Sequence, residues 1–162
     1  MSAQAQKIKT FLWYDSQAEE AVALYTSLFD NSRVTTVQRY GEEGPGEPGS
    51  VMVVEFELAG QSFIALNGGP EFKFTEAISL SVDCEGQQEI DDLWDRLTAD
   101  GGEPGPCGWL RDKYGLSWQI VPRVLNEMIG DPDPAKSGRA MKAMLGMGKL
   151  DVQALKDAYD GK

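Results

Sequence analysis

Residues 103–122 read E-P-G-P-C-G-W-L-R-D-K-Y-G-L-S-W-Q-I-V-P, the pattern of a β-hairpin. Residues 107–111 form one arm, Asp112-Lys113-Tyr114-Gly115 the turn, and residues 116–121 the other arm. Gly115 supplies the positive φ that a tight turn requires. Alternation along the second arm puts Leu116, Trp118 and Ile120 on one face and Ser117, Gln119 and Val121 on the other. Pro122 has no N–H to give to a ladder and ends the strand. One strand thus carries an apolar face backed by two neutral hydrogen-bonding side chains.

Upstream of this hairpin, residues 77–83 (A-I-S-L-S-V-D) alternate as a strand, with Ile78, Leu80 and Val82 opposite Ser79, Ser81 and Asp83. Residues 87–98 have helical spacing, with Ile90, Leu93, Trp94 and Leu97 as the buried stripe, and Gly101-Gly102 closes that helix. The first half has the same order. Residues 7–14 read as a strand, and Ser16 with Glu19 has the spacing of a capping box. Ala18, Ala21, Val22, Tyr25, Leu28 and Phe29 then line one helix face. Strands follow at residues 33–40, 51–58 and 61–66, the last two joined by Ala59-Gly60. Between the first and second of them, residues 41–49 (G-E-E-G-P-G-E-P-G) read as a flexible acidic loop, either a solvated connection or a lid. Strand, helix, then a run of antiparallel strands therefore occurs twice, with a unit of roughly 55–70 residues.

The tail differs. Residues 131–134 (D-P-D-P) read as a linker. A helix is expected over residues 137–147, with Ala140, Met141, Met144 and Leu145 apolar. Asp151 is placed to cap a last helix with the stripe Val152, Leu155 and Tyr159.

Composition narrows the function. A chain of 162 residues is long enough for a sizeable core, and its charge of −11 disfavours nucleic acid as a partner. No apolar run is long enough to span a membrane, and the N-terminal M-S-A-Q-A-Q-K has no apolar signal core, so a cytoplasmic location is expected. Cys84 and Cys107 alone make no disulfide framework. The chain contains no histidine, which removes Ser-His-Asp and Cys-His catalysis and histidine-ligated metal sites. Acid–base chemistry would fall to a perturbed carboxylate, lysine, tyrosine or cysteine.

Several segments carry a family resemblance when taken in order: F-L-W-Y-D and A-E-E-A-V-A-L-Y-T-S-L-F within residues 11–29, and V-E-F-E-L-A-G-Q-S-F-I-A-L-N over 54–67. F-K-F-T-E-A-I-S-L (72–80), I-D-D-L-W-D-R-L (90–97), residues 106–122 and the tail 149–159 complete the set. Together they resemble the PhnB-like group, labelled 3-demethylubiquinone-9 3-methyltransferase, of the vicinal oxygen chelate superfamily of glyoxalases, dioxygenases and fosfomycin- and bleomycin-resistance proteins. The resemblance implies an α+β fold: two βαβββ modules forming a curved, cup-shaped mixed sheet, plus C-terminal helices. It places paired modules at residues 1–130 (about 1–70 and 71–130, sharing one core) and a helical tail at 131–162. It also implies a homodimer.

Metal-dependent members of the superfamily draw ligands, usually His and Glu, from the first and last strand of each module. Here those places fall at Ile8 or Thr10, Leu66 or Asn67, Ile78 or Ser79, and Gln119. A neutral glutamine is a poor ligand for a divalent ion, so neither a metal nor another cofactor is expected. The glycine pairs Gly68-Gly69 and Gly101-Gly102 do not open a helix after a strand, as a nucleotide-type methyl-donor site requires. Gln119 and Ser79 are candidates to line a pocket or to satisfy each other. Trp109, Trp13, Phe72 and Phe74 are candidates for an aromatic wall or for core. Asn67 either orients a ligand or caps a turn. No catalytic residue is assigned. The expected function is binding of a small organic molecule. The alternatives are a superfamily lyase, isomerase or dioxygenase with an atypical or lost metal and, more weakly, a methyltransferase.

Overall fold

A computed structural model of the chain describes residues 5–162; residues 1–4, the start of the polar N-terminal stretch, lie outside the described residues. The first module comprises β1 (Thr10–Tyr14), α1 (Ala18–Leu28), β2 (Arg33–Arg39), β3 (Val51–Leu58) and β4 (Gln61–Asn67). The second comprises β5 (Ser79–Cys84), α2 (Gln87–Thr98), β6 (Glu103–Pro104), β7 (Trp109–Arg111) and β8 (Ser117–Pro122). Helices α3 (Arg123–Ile129), α4 (Pro134–Leu145) and α5 (Val152–Tyr159) follow. The strand orders are β1-β4-β3-β2 and β5-β8-β7-β6, so the two modules share one topology. In each, the first strand pairs parallel with the last. This is an α+β fold of two βαβββ modules with C-terminal helices. The chain divides into two compact units, one ending at Lys73 and the other running from Phe74 to Lys162.

Alternation builds the first unit. Leu12, Tyr14, Val54, Phe56, Phe63 and Ala65 are buried, as are Ala18, Ala21, Val22 and Tyr25 of α1. Phe56 and Phe63 face each other across β3 and β4 with their rings stacked. Ala59 and Gly60 both take positive φ, 48° and 85°, as the two-residue hairpin between these strands requires.

The start of α1 departs from the expected capping box. Its N-cap position is Gln17, which makes no side-chain cap. The cap comes from the far end of β4. Asn67 Oδ1 accepts from the Ala18 N–H at 2.8 Å, while Asn67 Nδ2 donates to Glu19 and to the Val51 carbonyl. The loop at 41–49 is exposed along almost its whole length, but its two middle glycines lie against Tyr40. A Cβ added at Gly44 or Gly46 would fall within 2.7 or 2.3 Å of the Tyr40 ring, so the two glycines bring backbone against its aromatic carbons. The Tyr40 hydroxyl in turn donates to the Asn67 carbonyl at 2.6 Å.

In the second unit α2 matches its expected span and buries Ile90, Leu93, Trp94 and Leu97. β5 begins two residues later than expected, leaving Ile78 67% exposed instead of on the apolar face. The first hairpin arm is shorter than expected: Cys107 has φ 58° and lies outside β7. Helix α3 and the short β6 are absent from the sequence reading. The signal for α3 was there in Val124, Leu125, Met128 and Ile129, spaced for one helix face. Helix α4 starts three residues early because Asp133 caps it and Pro134 occupies its first turn. Its inward face is Ala140 with Ala143 and Met144, whereas Met141 and Leu145 point outward. Asp151 caps α5 through the Ala154 N–H, as expected.

The tail is tied down by two paired carboxyls. Lys149 holds the Asp91 carboxyl below the ordinary carboxylate range through a 2.9 Å contact, and Tyr159 does the same for Asp131. A depressed carboxyl stabilises the fold above its unfolded pKa, and the contribution is lost as pH falls through the folded value. Tail amides should therefore lose hydrogen-exchange protection below about pH 4 before β3 and β4 amides do. For the first unit, Asn67→Ala should cost about 1–2 kcal/mol in urea unfolding, and Ser16→Ala less than about 0.5 kcal/mol. The reverse order would restore the local capping box.

Candidate functional site

The hairpin turn is organised by a buried carboxylate. Asp112 is 2% exposed. Its Oδ1 accepts from the N–H groups of Tyr114 and Leu116 at 2.9 and 3.1 Å, and its Oδ2 accepts from the Trp118 indole at 2.9 Å. Both oxygens thus meet donors, as a buried charge requires. Trp118 is held on the α2 side of the sheet, 1% exposed, with Leu110 and Ile120. Strand alternation then turns its neighbours, Ser117 and Gln119, to the opposite face.

Register places the rest of that face. Trp109 lies opposite Gln119, which lies opposite Ser81; Arg111 lies opposite Ser117, which lies opposite Ser79. Gln119 Nε2 donates to Ser79 Oγ at 3.1 Å. Three of the expected residues, Gln119, Ser79 and Trp109, are therefore brought together on one sheet face. Beside them is an open concavity of about 350 Å³, walled by Pro104, Pro106 and Trp109, with Glu103 and Arg111 at its rim; Gln119 and Ser79 flank it without lining it. Arg111 pairs with Glu103 and, at 3.7 Å, with Glu76. Both pairs are exposed, so screening leaves them weak and exchangeable. Glu103, Glu76 and Arg111 were not singled out in the sequence. They come together through the two-residue β6 and the irregular segment before β5, where no periodicity marks which residues share a face.

The first unit holds a separate aromatic pair. The rings of Trp13 and Phe72 meet edge to face, centroids 4.9 Å apart, and the Trp13 indole donates to the Gly69 carbonyl at 2.9 Å. A Cβ on Gly68 would lie 2.4 Å from the Trp13 ring, so glycine is needed there. Phe74 is half-buried, about 4.0 Å from where a Gly115 Cβ would be. The Asn67 side chain is engaged at the start of α1, as described above.

A metal fits this donor set poorly. The open face of β5, β7 and β8 offers serine hydroxyls, an amide, an indole and the Arg111 guanidinium, with Asp83 as the carboxylate on those strands. In the first unit, Trp13 lies opposite Leu66 and Phe11 opposite Ile64, both apolar pairs, and Glu55, across from Ile64 on β3, is a single carboxylate there. Among the described residues no group of three or more His, Cys, Asp or Glu side chains is placed to hold a metal ion. The thiols are unlike each other. Burial, with Glu89 and Asp83 nearby, pushes Cys84 up to about 12, whereas Cys107 is partly exposed. Among the described residues no helix is long and apolar enough to cross a membrane.

Repeated βαβββ modules with an open polar sheet face are the architecture of the glyoxalase-like proteins. The chain matches the 3-demethylubiquinone-9 3-methyltransferase family over residues 6–121, and it belongs to that family. It is similar to the structure of a putative 3-demethylubiquinone-9 3-methyltransferase, PhnB protein, from Bacillus cereus: 42% identity, 72% of this chain and 99% of that one, TM-score 0.65. Protein PA1353 from Pseudomonas aeruginosa shares the fold at 16% identity, over 73% of this chain and 98% of that one, TM-score 0.59. The fosfomycin resistance protein FosX from Listeria monocytogenes, in complex with Mn(II) and sulfate, aligns at 15% identity over 73% and 92%, TM-score 0.48. No curated protein sequence matches the chain. The family match and the Bacillus cereus structure place the chain in the PhnB-like group.

Removing the turn carboxylate tests how this face is held. Asp112→Ala strands three donors, one of them a buried indole, and should cost about 3 kcal/mol in urea unfolding. Trp118 fluorescence should report a wetter ring. A loss under about 0.5 kcal/mol would show that the turn holds without it.

Proposed function

We propose that the protein binds a small organic molecule at the Trp109–Gln119–Ser79 face without using a metal. The observation that carries this reading is the convergence of a tryptophan, an amide and a hydroxyl on one open sheet face beside an apolar concavity. Such sites hold ligands by shape and orient them through a few polar contacts. The Gln119 amide has a second N–H and a carbonyl beyond the bond to Ser79. With two carboxylates around one guanidinium at the rim, the site favours neutral or cationic planar ligands over anions. The reading takes the protein as a cytoplasmic homodimer, a placement supported by its two free thiols and by the exposed Ile8 and Phe11. Small organic molecules are its partners, and nucleic acid is disfavoured by the charge.

The family name favours methyl transfer as a second reading. Against it, Gly68 and Gly69 lead from β4 into irregular chain, and Gly102 follows α2, so neither pair makes the strand-to-helix turn of a nucleotide-type donor site. A superfamily enzyme with atypical metal donors would need ligands that the open face does not offer.

One titration series separates these readings. Indole and benzylamine should shift the Trp109 indole and Gln119 amide resonances, with dissociation constants in about the millimolar range. Gln119→Leu, which removes both the donor and the acceptor, should weaken indole about tenfold. Manganese, nickel, zinc and S-adenosylmethionine should leave the melting temperature unchanged, because a ligand specific for the folded state must raise it. A saturable shift with a metal, or with S-adenosylmethionine, would overturn the proposal in favour of the corresponding enzyme.

A further inference from the structure

The wall of the concavity is held by a segment outside the family match, which ends at residue 121. Between α4 and α5 the chain runs alongside residues 105–108. The Cys107 N–H donates to the Met147 carbonyl at 2.7 Å, and the Gly108 N–H to the Gly148 carbonyl at 2.8 Å. These successive bonds form a short ladder on a loop with two consecutive left-handed residues, φ 58° and 83°. A non-glycine residue keeps such a conformation only when its surroundings impose it. There is no room for a side chain at Gly108: a Cβ would lie 2.9 Å from Leu150 Cδ1 and 3.0 Å from the Ile120 carbonyl. The loop passes its position on to the pocket. The Trp109 N–H donates to the Pro106 carbonyl at 3.0 Å, and the Gly105 N–H to the Trp109 carbonyl at 2.8 Å.

The same segment is pinned from behind by Gln87, in the first turn of α2. Its Nε2 donates to the Leu150 carbonyl and to Asp91 Oδ1, both at 3.0 Å, and its Oε1 accepts from the Val152 N–H at 2.8 Å. Lys149 adds the bond to Asp91. Gln87 does not line the concavity. It is a positioning residue, acting on the pocket wall through the tail.

We infer that residues 147–152 are a strap that sets the wall of the Trp109 pocket, so that docking of the tail and occupancy of the pocket are linked. The inference rests on the pocket reading for its purpose but not for its test. When the strap is docked, the loop at 105–108 is locked and Trp109 has one position. When it lifts, Cys107 leaves its left-handed conformation and the wall relaxes. By linkage, a ligand that prefers the locked wall holds the tail down to the same extent that the tail favours the ligand. A partner that captured the lifted tail would lower pocket affinity.

The test uses the full chain without ligand, comparing Gln87→Leu with the outward-facing control Leu145→Ala. Gln87→Leu should speed amide exchange at Cys107 and Gly108, and labelling of the Cys107 thiol by Ellman's reagent, by on the order of fivefold or more. Cys84, buried and with a raised pKa, stays silent, and Cys107→Ser gives the blank. The Trp109 indole resonance should shift, and the Ile120 amide, bonded to the Gly108 carbonyl, should loosen with the loop, while Trp118 and the β5 core amides stay as in the parent. Leu145→Ala should change none of these. Should Gln87→Leu fail to fold, Lys149→Met makes the same comparison with a milder cut. Unchanged Cys107 and Gly108 exchange, or a rise matched by the β5 core, would overturn the strap. Failure of indole and benzylamine to bind would instead overturn the pocket reading, leaving the strap to stand or fall on exchange alone.

Discussion

A carboxylate with 2% exposure has to be surrounded by donors, and Asp112 is. It takes two backbone N–H groups from its own turn and one indole N–H from the strand that follows. The indole bond matters most for the sheet, because it fixes which way β8 faces. A strand has a side-chain period of two, so a slip of one residue would send Trp118 outward and Gln119 into α2. Burying Trp118 is worth about 2–3 kcal/mol, and stranding a buried amide in its place would add a desolvation penalty of similar size. The polar face of Ser79, Ser81, Ser117 and Gln119 therefore follows from a contact made on the other side of the sheet.

Elements whose reason is local were legible in the sequence. Helix α2 has a complete apolar stripe and a glycine stop, and its bounds were read without error. The β3–β4 hairpin has strong alternation and a two-residue turn. The repeated order of elements, with the family resemblance, was enough to give an α+β fold of paired modules. Features whose reason is distant were not legible. Ser16 and Glu19 have the spacing of a capping box, but Asn67, 49 positions beyond Ala18, supplies the cap. The glycines of the acidic loop look like flexibility until the Tyr40 ring is placed against them. Gln87 reads as an ordinary first-turn residue, and nothing in its neighbourhood predicts that it bonds to Leu150 and Val152. At the site, residue types were legible for Gln119, Ser79 and Trp109, and strand faces for Gln119 and Ser79. The rim of Glu103, Glu76 and Arg111 was not, because a two-residue strand leaves no periodicity to read.

Family membership constrains the fold more than the chemistry. A scaffold of paired modules supports several reactions, and what a member does depends on the side chains at its open face. Here that face has hydroxyls, an amide, an indole, one guanidinium and the single β5 carboxylate Asp83, and the chain has no histidine to add. A carboxylate in place of Gln119 would be one metal donor without the others. The amide is better suited to orienting a neutral group, since it donates and accepts without the desolvation cost of a charge.

The tail limits what can be carried over from relatives. The Bacillus cereus structure aligns over nearly its whole length at 42% identity, which supports transfer of strand and helix positions. The pocket wall is a different matter. The family match stops at residue 121, yet the Cys107 and Gly108 N–H groups bond to carbonyls at residues 147 and 148. A buried N–H must find a partner, so a chain that lacks this segment must satisfy the loop differently. The loop could then take a right-handed conformation at position 107, and Trp109, tied to it through Pro106 and Gly105, would move with it. Two proteins can therefore agree at every strand of the sheet and still present differently shaped pockets. In this chain the shape follows from residues 147–152 and from Gln87 behind them.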